Sequence, residues 1–243
     1  MMKHLLLTFS TLIFLTNVFG QKTEFRASLN SGFFSYTGLT ATGTSSIYCA
    51  KYAKSGFTDN PYGDKSGLCY GFSFNFKRIS RMDHFWGLDL GYEILRSSVS
   101  INKVYEYIAT SSNSFNVTNT FNATGLTFLN NSYINLDPFV GHRYKFKQIN
   151  FDLTAGADME FCLKSSEKGN ATSTDGTKYT TSKIYGSIPI EIRPRIHLQV
   201  GYKKIGLYYG YSIGIARSYH NSYLGYYKVP SNFIRFGATY LIK

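Results

Sequence analysis

Acidic and basic side chains recur at every second position along this chain, a spacing that limits the chemistry they can do. Residues two apart share one side of an extended strand. One such set contains Glu24, Asp89, Glu93, Asp137, Asp152, Asp158, Glu160 and Glu191. It also contains Arg26, Lys77, Arg143, Arg193, Arg195, Arg235 and His197. Eight acids against six bases is the composition of an ion-paired network, because burying such charges singly is costly. Arg193 and Arg195 are expected to reach Asp152, Asp158 or Asp89 across a narrow interior. No Gly-x-Ser-x-Gly is present, nor a Cys-x-x-Cys or His-Cys cluster of the kind zinc requires. His220-Asn221-Ser222 puts an imidazole near a hydroxyl, but no carboxylate is placed to orient it. His84, His142 and His197 fall toward one end. No catalytic residue, cofactor or metal is expected. Cys49, Cys69 and Cys162 allow one bridge with one thiol left over. Cys49–Cys69 would close a long connection, Cys69–Cys162 would link two inward positions, and three free thiols is the third possibility.

The elements that position these residues are strands. Strict alternation appears eight times: in Phe25–Phe33, Leu68–Lys77, Trp86–Ile94, Tyr133–Tyr144, Phe151–Phe161, Ile184–Val200, Ile205–Ile215 and Ile234–Ile242. In the second run Tyr70, Phe72, Phe74 and Phe76 alternate with Cys69, Gly71, Ser73 and Asn75. In the sixth Ile190, Ile192, Ile196 and Leu198 alternate with Glu191, Arg193, Arg195 and His197. A period of two is the strand signature, and no segment has a comparable helical period. Connections alternate in length. Residues 38–67, 100–131, 164–183 and 217–231 are long and rich in Ser, Thr, Asn, Gly and Lys; those near 78–84, 145–148 and 202–204 are short. The expected fold is therefore all-β, an eight-stranded antiparallel up-and-down transmembrane β-barrel with four long external loops. The Asn/Thr-rich stretch 110–132 fits either a strand extension above the membrane or a disordered loop.

Alternation alone does not say which face is outside. Glycine is dense on the polar face (Gly71, Gly87, Gly91, Gly141, Gly156, Gly206, Gly210, Gly214 and Gly237). On a solvent face it has no packing purpose; in a narrow lumen it makes room for large side chains opposite. The apolar face also carries more Tyr, Phe and Ile than an eight-stranded interior holds. It is expected to face lipid. Trp86 and Tyr240 would form one interfacial girdle, and Phe33, Tyr70 and Phe161 the other.

Residues 1–20 place Lys3 and His4 before the apolar Leu5–Leu15 and end in Gly20, which is the pattern of a secretory signal peptide cut before Gln21. Residues 21–243 would then be the barrel domain. Aromatics at 17% against 16% charged residues exclude a disordered chain. The net charge of +12 lies in turns, connections and termini, where it fits anionic lipid headgroups; no nucleic-acid motif accompanies it.

The signal segment, the stretch Arg193–Ile215 and the alternating end Phe236–Lys243 resemble the small outer-membrane β-barrel proteins of the porin family, OmpX/OmpA-like and of the Bacteroidetes type. The resemblance covers the mature chain as a pattern with few fixed residues. It implies the outer membrane of a Gram-negative bacterium, no cofactor, and a structural or surface-interaction role. The partners it implies are outer-membrane lipid and lipopolysaccharide, the barrel-assembly machinery, and an unknown surface ligand through the loops. A narrow porin for small solutes is the alternative, and a lipid-modifying enzyme the third. Two features depart from the pattern. The chain ends in Lys243 and not in an aromatic residue, and Pro138, Pro189 and Pro194 fall within strands, where each removes a ladder donor. Bulges are expected there, or a sixth strand that projects past the membrane. N-terminal sequencing of the exported protein is predicted to begin at Gln21, with the product in the outer-membrane fraction. Retention of Met1, or recovery as a soluble periplasmic protein, would contradict this.

Overall fold

The computed structural model describes residues 22–111, 114–185, 190–215 and 229–243. The signal segment with its cut before Gln21, Pro189, and His220-Asn221-Ser222 lie outside them. The described residues form β-structure and turns, with no helix. In chain order the strands are β1 (Lys22–Tyr36), β2 (Thr44–Ala50), β3 (Ser55–Thr58), β4 (Lys65–Ile79), β5 (His84–Ser111) and β6 (Ser114–Phe146). They continue with β7 (Ile149–Ser173), β8 (Lys178–Tyr185), β9 (Glu191–Tyr202), β10 (Ile205–Ile213) and β11 (Ser231–Leu241).

Among the described residues, eight of these strands pair in a closed cycle. β1 pairs β4, β4 pairs β5, β5 pairs β6, β6 pairs β7, β7 pairs β9, β9 pairs β10, β10 pairs β11, and β11 returns to β1, all antiparallel. Each carries one of the alternating runs. Three short turns lie together at one end, around Asp83, Lys147 and Lys203, each of which takes a positive φ of 52–62°. The ring's first and last strands meet at this turn end too, where Arg26 pairs Leu241.

The long connections expected at the other end are mostly strand. Residues 38–67 contain β2 and β3, 100–111 and 114–131 belong to β5 and β6, and 164–183 contain the end of β7 and most of β8. The sixth run is split, with Ile184 in β8 and Ile192–Val200 in β9. The added strands make a second closed cycle: β2 pairs β5 in parallel, β5–β6–β7–β8 pair antiparallel, β8 pairs β3 in parallel, and β3 returns to β2. β5, β6 and β7 thus run through both rings. Neither ring leaves an unpaired edge along its cycle, the arrangement that removes the hazard of open sheets.

The period-two signal was lost in these extensions because the ladder is interrupted there. β5 shifts register between Ile101 and Lys103, and again between Glu106 and Tyr107. Its buried positions change from Leu95, Ser97, Val99 and Ile101 to Val104 and Glu106. A bulge opposite Ser132/Tyr133 does the same on β7, from Asp158 and Glu160 to Ser165 and Glu167. An extra residue in one strand turns every later side chain to the other face.

The prolines behave otherwise than expected. Pro138 pairs Leu88 and Pro194 pairs Ala157 with no register shift at either. Both flank the same stretch of β7, and both point outward. The backbone N–H of Met159 donates to Asp137 Oδ1 at 3.2 Å, beside the position where Pro138 interrupts the β6–β7 ladder.

Three apolar layers cross the interior. Ile79, Phe85 and Phe139 pack at the turn end. Phe34, Tyr36, Tyr62, Leu95, Leu129, Tyr133, Tyr185 and Phe233 fill the junction of the two rings. Ile47, Val99, Ile101, Val104, Ala123, Ala171 and Tyr179 fill the distal ring.

Candidate functional site

The inward face of the eight-stranded ring holds the charges that alternation assigned to it, in three tiers. At the turn end Arg143 of β6 forks two carboxylates. Its Nε and Nη2 donate to Asp152 at 2.6 and 2.7 Å, and its Nη1 and Nη2 donate to Glu24 at 2.7 and 2.9 Å. Lys77 Nζ donates to Asp152 at 2.6 Å and Arg26 Nη2 to Glu24 at 3.1 Å. Guanidinium suits this place because its planar fork meets two carboxylates at once.

The middle tier has two cations and four acids. Arg195 Nη2 donates to Asp89 at 2.5 Å, while its Nη1 lies 3.3 Å from Asp137 and 3.2 Å from Asp158. Arg235 Nη2 donates to Glu93 at 2.8 Å and to Asp158 at 3.3 Å. Neutral donors stabilise the remaining carboxylate oxygens: Ser212 Oγ bonds Asp158 at 2.8 Å, Asn30 Nδ2 bonds Glu93 at 2.9 Å and Asn75 Nδ2 bonds Asp89 at 2.5 Å. Asn135 Nδ2 donates to Asp137 at 2.7 Å, and Tyr208 donates its phenol proton to Asn30.

Nearest the ring junction, Arg193 is fully buried. It donates from Nη1 to Glu160, and from Nη2 and Nε to Glu191 at 2.8 and 3.0 Å. Ser231 and Tyr133 add hydroxyl donors to Glu191 at 2.6 and 3.2 Å. The guanidinium lies 5.2 Å from the Phe34 ring centre and 5.6 Å from that of Tyr133. The aromatic layer therefore begins directly on the last ion pair.

Fourteen of the fifteen charged positions expected in the lumen make ion pairs: Glu24, Arg26, Lys77, Asp89, Glu93, Asp137, Arg143, Asp152, Asp158, Glu160, Glu191, Arg193, Arg195 and Arg235. Two expectations need correction. His197 is not part of the ion-pair network. Its Nε2 has no protein partner and its ring meets Tyr208 edge-on at 4.4 Å. Arg193 does not reach Asp152, which Arg143 and Lys77 occupy at the other end. The neutral partners Asn30, Asn75, Asn135, Tyr133, Tyr208, Ser212 and Ser231 were missed. Their signal was available for the residues of the recognised runs, since Asn75, Asn135 and Ser212 share the inward parity. A cavity of about 30 Å³ remains in the middle tier, lined by Asn75, Asn135, Arg195 and His197 among others. Each of these four keeps a buried polar atom with no protein partner, and a volume of this size holds one or two waters.

The cysteines are unbridged. Cys49 lies in the distal core beside Ile47, and Cys69 in the junction layer, where its sulfur accepts the Arg96 N–H at 3.2 Å. Of the three possibilities the structure has the free thiols: Cys49 and Cys69 belong to different layers. Cys162 packs against the layer that holds Cys69. Burial pushes the Cys49 thiol up to about 11, so it is un-ionised at neutral pH.

Two buried carboxylates serve the distal ring. Glu167 accepts the Thr58 backbone N–H at 2.9 Å and the Tyr185 hydroxyl, which ties β3 to β7 and β8. Glu106 accepts Asn119 Nδ2 at 2.9 Å and Tyr179 OH at 3.1 Å, with Lys54 Nζ at 3.6 Å.

No protein-family model matches the chain, and no curated protein does. Among solved structures the chain is similar to Neisserial surface protein A, with TM-score 0.40 and 10% identity over 91% of this chain and 99% of that one. It is similar to Ail, the attachment invasion locus protein of Yersinia pestis, with TM-score 0.33 and 12% identity over 93% of this chain and 100% of that one. It is also similar to the outer membrane protease OmpT of Escherichia coli, with TM-score 0.41 and 13% identity over 93% and 100%. No residue of this chain takes a role from these matches.

Two predictions follow from the buried charges. Arg195→Ala leaves Asp89, Asp137 and Asp158 without their shared cation. It is expected to cost about 3–5 kcal/mol, the usual penalty for stripping one partner from a buried pair, read as a fall in unfolding temperature in detergent. The second concerns pH. Burial holds the Glu167 carboxyl above its ordinary range. The folded chain therefore keeps a proton that the unfolded chain loses near pH ~4.3, and the distal ring loses stability as pH rises from there through the raised value. Glu167→Gln is expected to remove that slope. Glu106, held low by Asn119, then by Tyr179 and Lys54, contributes the opposite loss on the acid side. Unfolding temperature measured against pH for wild type and variant checks both signs.

Proposed function

We propose that the chain is an integral outer-membrane β-barrel protein of a Gram-negative envelope: an eight-stranded transmembrane barrel with four outward connections and a structural or surface-interaction role. The observation that carries this reading is the inversion of its two faces. Inward, Arg, Lys, Asp and Glu are buried and paired. Outward, Leu29, Phe72, Phe74, Leu90, Val140, Ile196, Leu207 and Tyr209 are exposed in a continuous band. In water such a band would be a very large apolar patch; in hydrocarbon it matches its surroundings. Trp86 and Tyr240 toward the turn end, and Phe33, Tyr70 and Phe161 toward the distal ring, are all exposed, which supports two interfacial girdles.

A spanning strand needs about 9–11 residues. β5, β6 and β7 have 28, 33 and 25. The surplus builds the distal ring, which in this reading stands above the outer surface with Lys51, Lys54, Lys103, Lys168 and Lys178 around it. Those cations suit the anionic groups of lipopolysaccharide. The ring is the part offered to a surface ligand, and folding into the membrane relies on the barrel-assembly machinery. No nucleic acid, cofactor or catalytic step enters this reading. Against the narrow-porin alternative stands the interior itself: the aromatic layer at the ring junction and the ion pairs beneath it leave a cavity of only about 30 Å³.

Purified protein in planar bilayers is expected to give no sustained conductance. Large, stable open-channel currents would overturn the closed lumen. Unboiled and boiled samples are expected to migrate differently in gels, and equal mobility would count against a barrel.

A further inference from the structure

His84 and His142 are used by nothing described so far. They stand directly opposite each other on β5 and β6, the last pair before the Ser80–Asp83 turn. Their parity is that of Trp86, Val140 and Tyr144, so both point to the outer face of the ring at its turn end. The two Nδ1 atoms are 3.2 Å apart. The ring centres are 4.6 Å apart, and Tyr144, two residues further along β6, meets His142 edge-on at 4.6 Å and packs against one of the two imidazoles. Around them lie Arg78 from β4, Asp83 from the turn and Lys145 from β6; Lys145 already neutralises Asp83 at 2.5 Å.

We infer that His84 and His142 form a two-imidazole site for a divalent transition metal, zinc in particular, at the turn-end rim. Zinc–imidazole bonds are about 2.0–2.1 Å, so two nitrogens on a tetrahedral ion lie about 3.3–3.4 Å apart. The Nδ1 separation is already 3.2 Å, and a cross-strand pair needs no backbone movement to hold it. Neutral imidazole is a preferred ligand for zinc, copper and nickel. In the metal-free pair one Nδ1–H donates to the other Nδ1. On binding, that proton moves to Nε2 of the same ring and both Nδ1 lone pairs face the ion, with no net proton release. Among the described residues no group of three or more His, Cys, Asp and Glu assembles for a metal, so the remaining coordination positions are left to solvent. The ion then acts as a clip between β5 and β6 at the foot of the longest hairpin.

Titration of the folded, detergent-solubilised protein with Zn²⁺ alone tests this. One saturable equivalent is expected, with at least a tenfold loss of affinity in His84→Asn and in His142→Asn, both keeping folded mobility on unboiled gels. Absence of saturable binding by wild type, or binding retained by the double variant, would overturn the site. A second measurement needs no variant. Zn²⁺ is expected to protect His84 and His142 from carbethoxylation in the wild-type protein; equal modification with and without the metal would refute the assignment.

Discussion

A sheet closed into a narrow ring makes every second residue share one small interior, and the rest of this structure follows from that confinement. Each strand sends its polar side chains to the same axis, so the carboxylates of β7 find their cations on β4, β6, β9 and β11. Arg195 meets acids from β5, β6 and β7. Such groups are costly to bury alone and stable only as a set, because each oxygen and each N–H is already far from water. The glycines of the inward face follow from the same confinement. A side chain at Gly87 would run into the Phe139 ring, and one at Gly141 into Phe85. Glycine there lets two large aromatics cross the lumen and cover Lys77.

The second ring extends this logic beyond the junction layer. Three of its six strands are continuations of β5, β6 and β7, so it needs no linker and inherits their register. It differs in what it buries. The lower ring encloses paired charge and exposes an apolar face; the upper ring encloses Ile, Val and Ala. Along β5 the inward residues turn apolar between Glu93 and Leu95, before the shift at Ile101 and Lys103, and along β7 they stay polar across the irregularity opposite Tyr133, with Ser165 and Glu167 beyond it. The bulges change which parity points inward, and the aromatic junction layer is where β5 turns from inward charge to inward apolar residues. Glu167 bridges β3, β7 and β8 just beyond it, which makes the base of the upper ring a place where one carboxylate holds three strands.

Much of the lower ring was legible in the residues. Alternation from Glu24 to Arg26, from Asp89 to Glu93 and from Glu191 to Arg195 identified strand, face and inward charge together, because a period of two reports all three. The partner of each charge was not legible. Arg193 is expected to reach Asp152, Asp158 or Asp89; its register partner on β7 is Asp158, yet its ion pairs are to the diagonal Glu160 and to Glu191, a choice not written in a single strand. The upper ring was hidden for a different reason. Its strands are short or bulged, and two of its pairings are parallel contacts between segments far apart in sequence: β2 with β5, and β3 with β8. Ser, Thr and Asn on its solvated face look like loop composition until those pairings are known. Phe34 and Tyr36 were missed simply because the first run was ended at Phe33. They continue its inward parity and begin the junction layer.

The central claim is that the lower ring is closed to water by its own ion pairs and aromatic layer. Proton exchange at the arginine guanidinium groups, followed by NMR of the folded protein in micelles after transfer to D₂O, tests it most directly. Arg193, fully buried between Glu160, Glu191 and the Phe34 ring, is predicted to keep resolved Nε and Nη proton signals long after exposed arginines such as Arg81 have exchanged. Exchange of Arg193, Arg195 and Arg235 within the dead time of the experiment, as fast as Arg81, would mean that water moves freely through the lumen and would contradict the account.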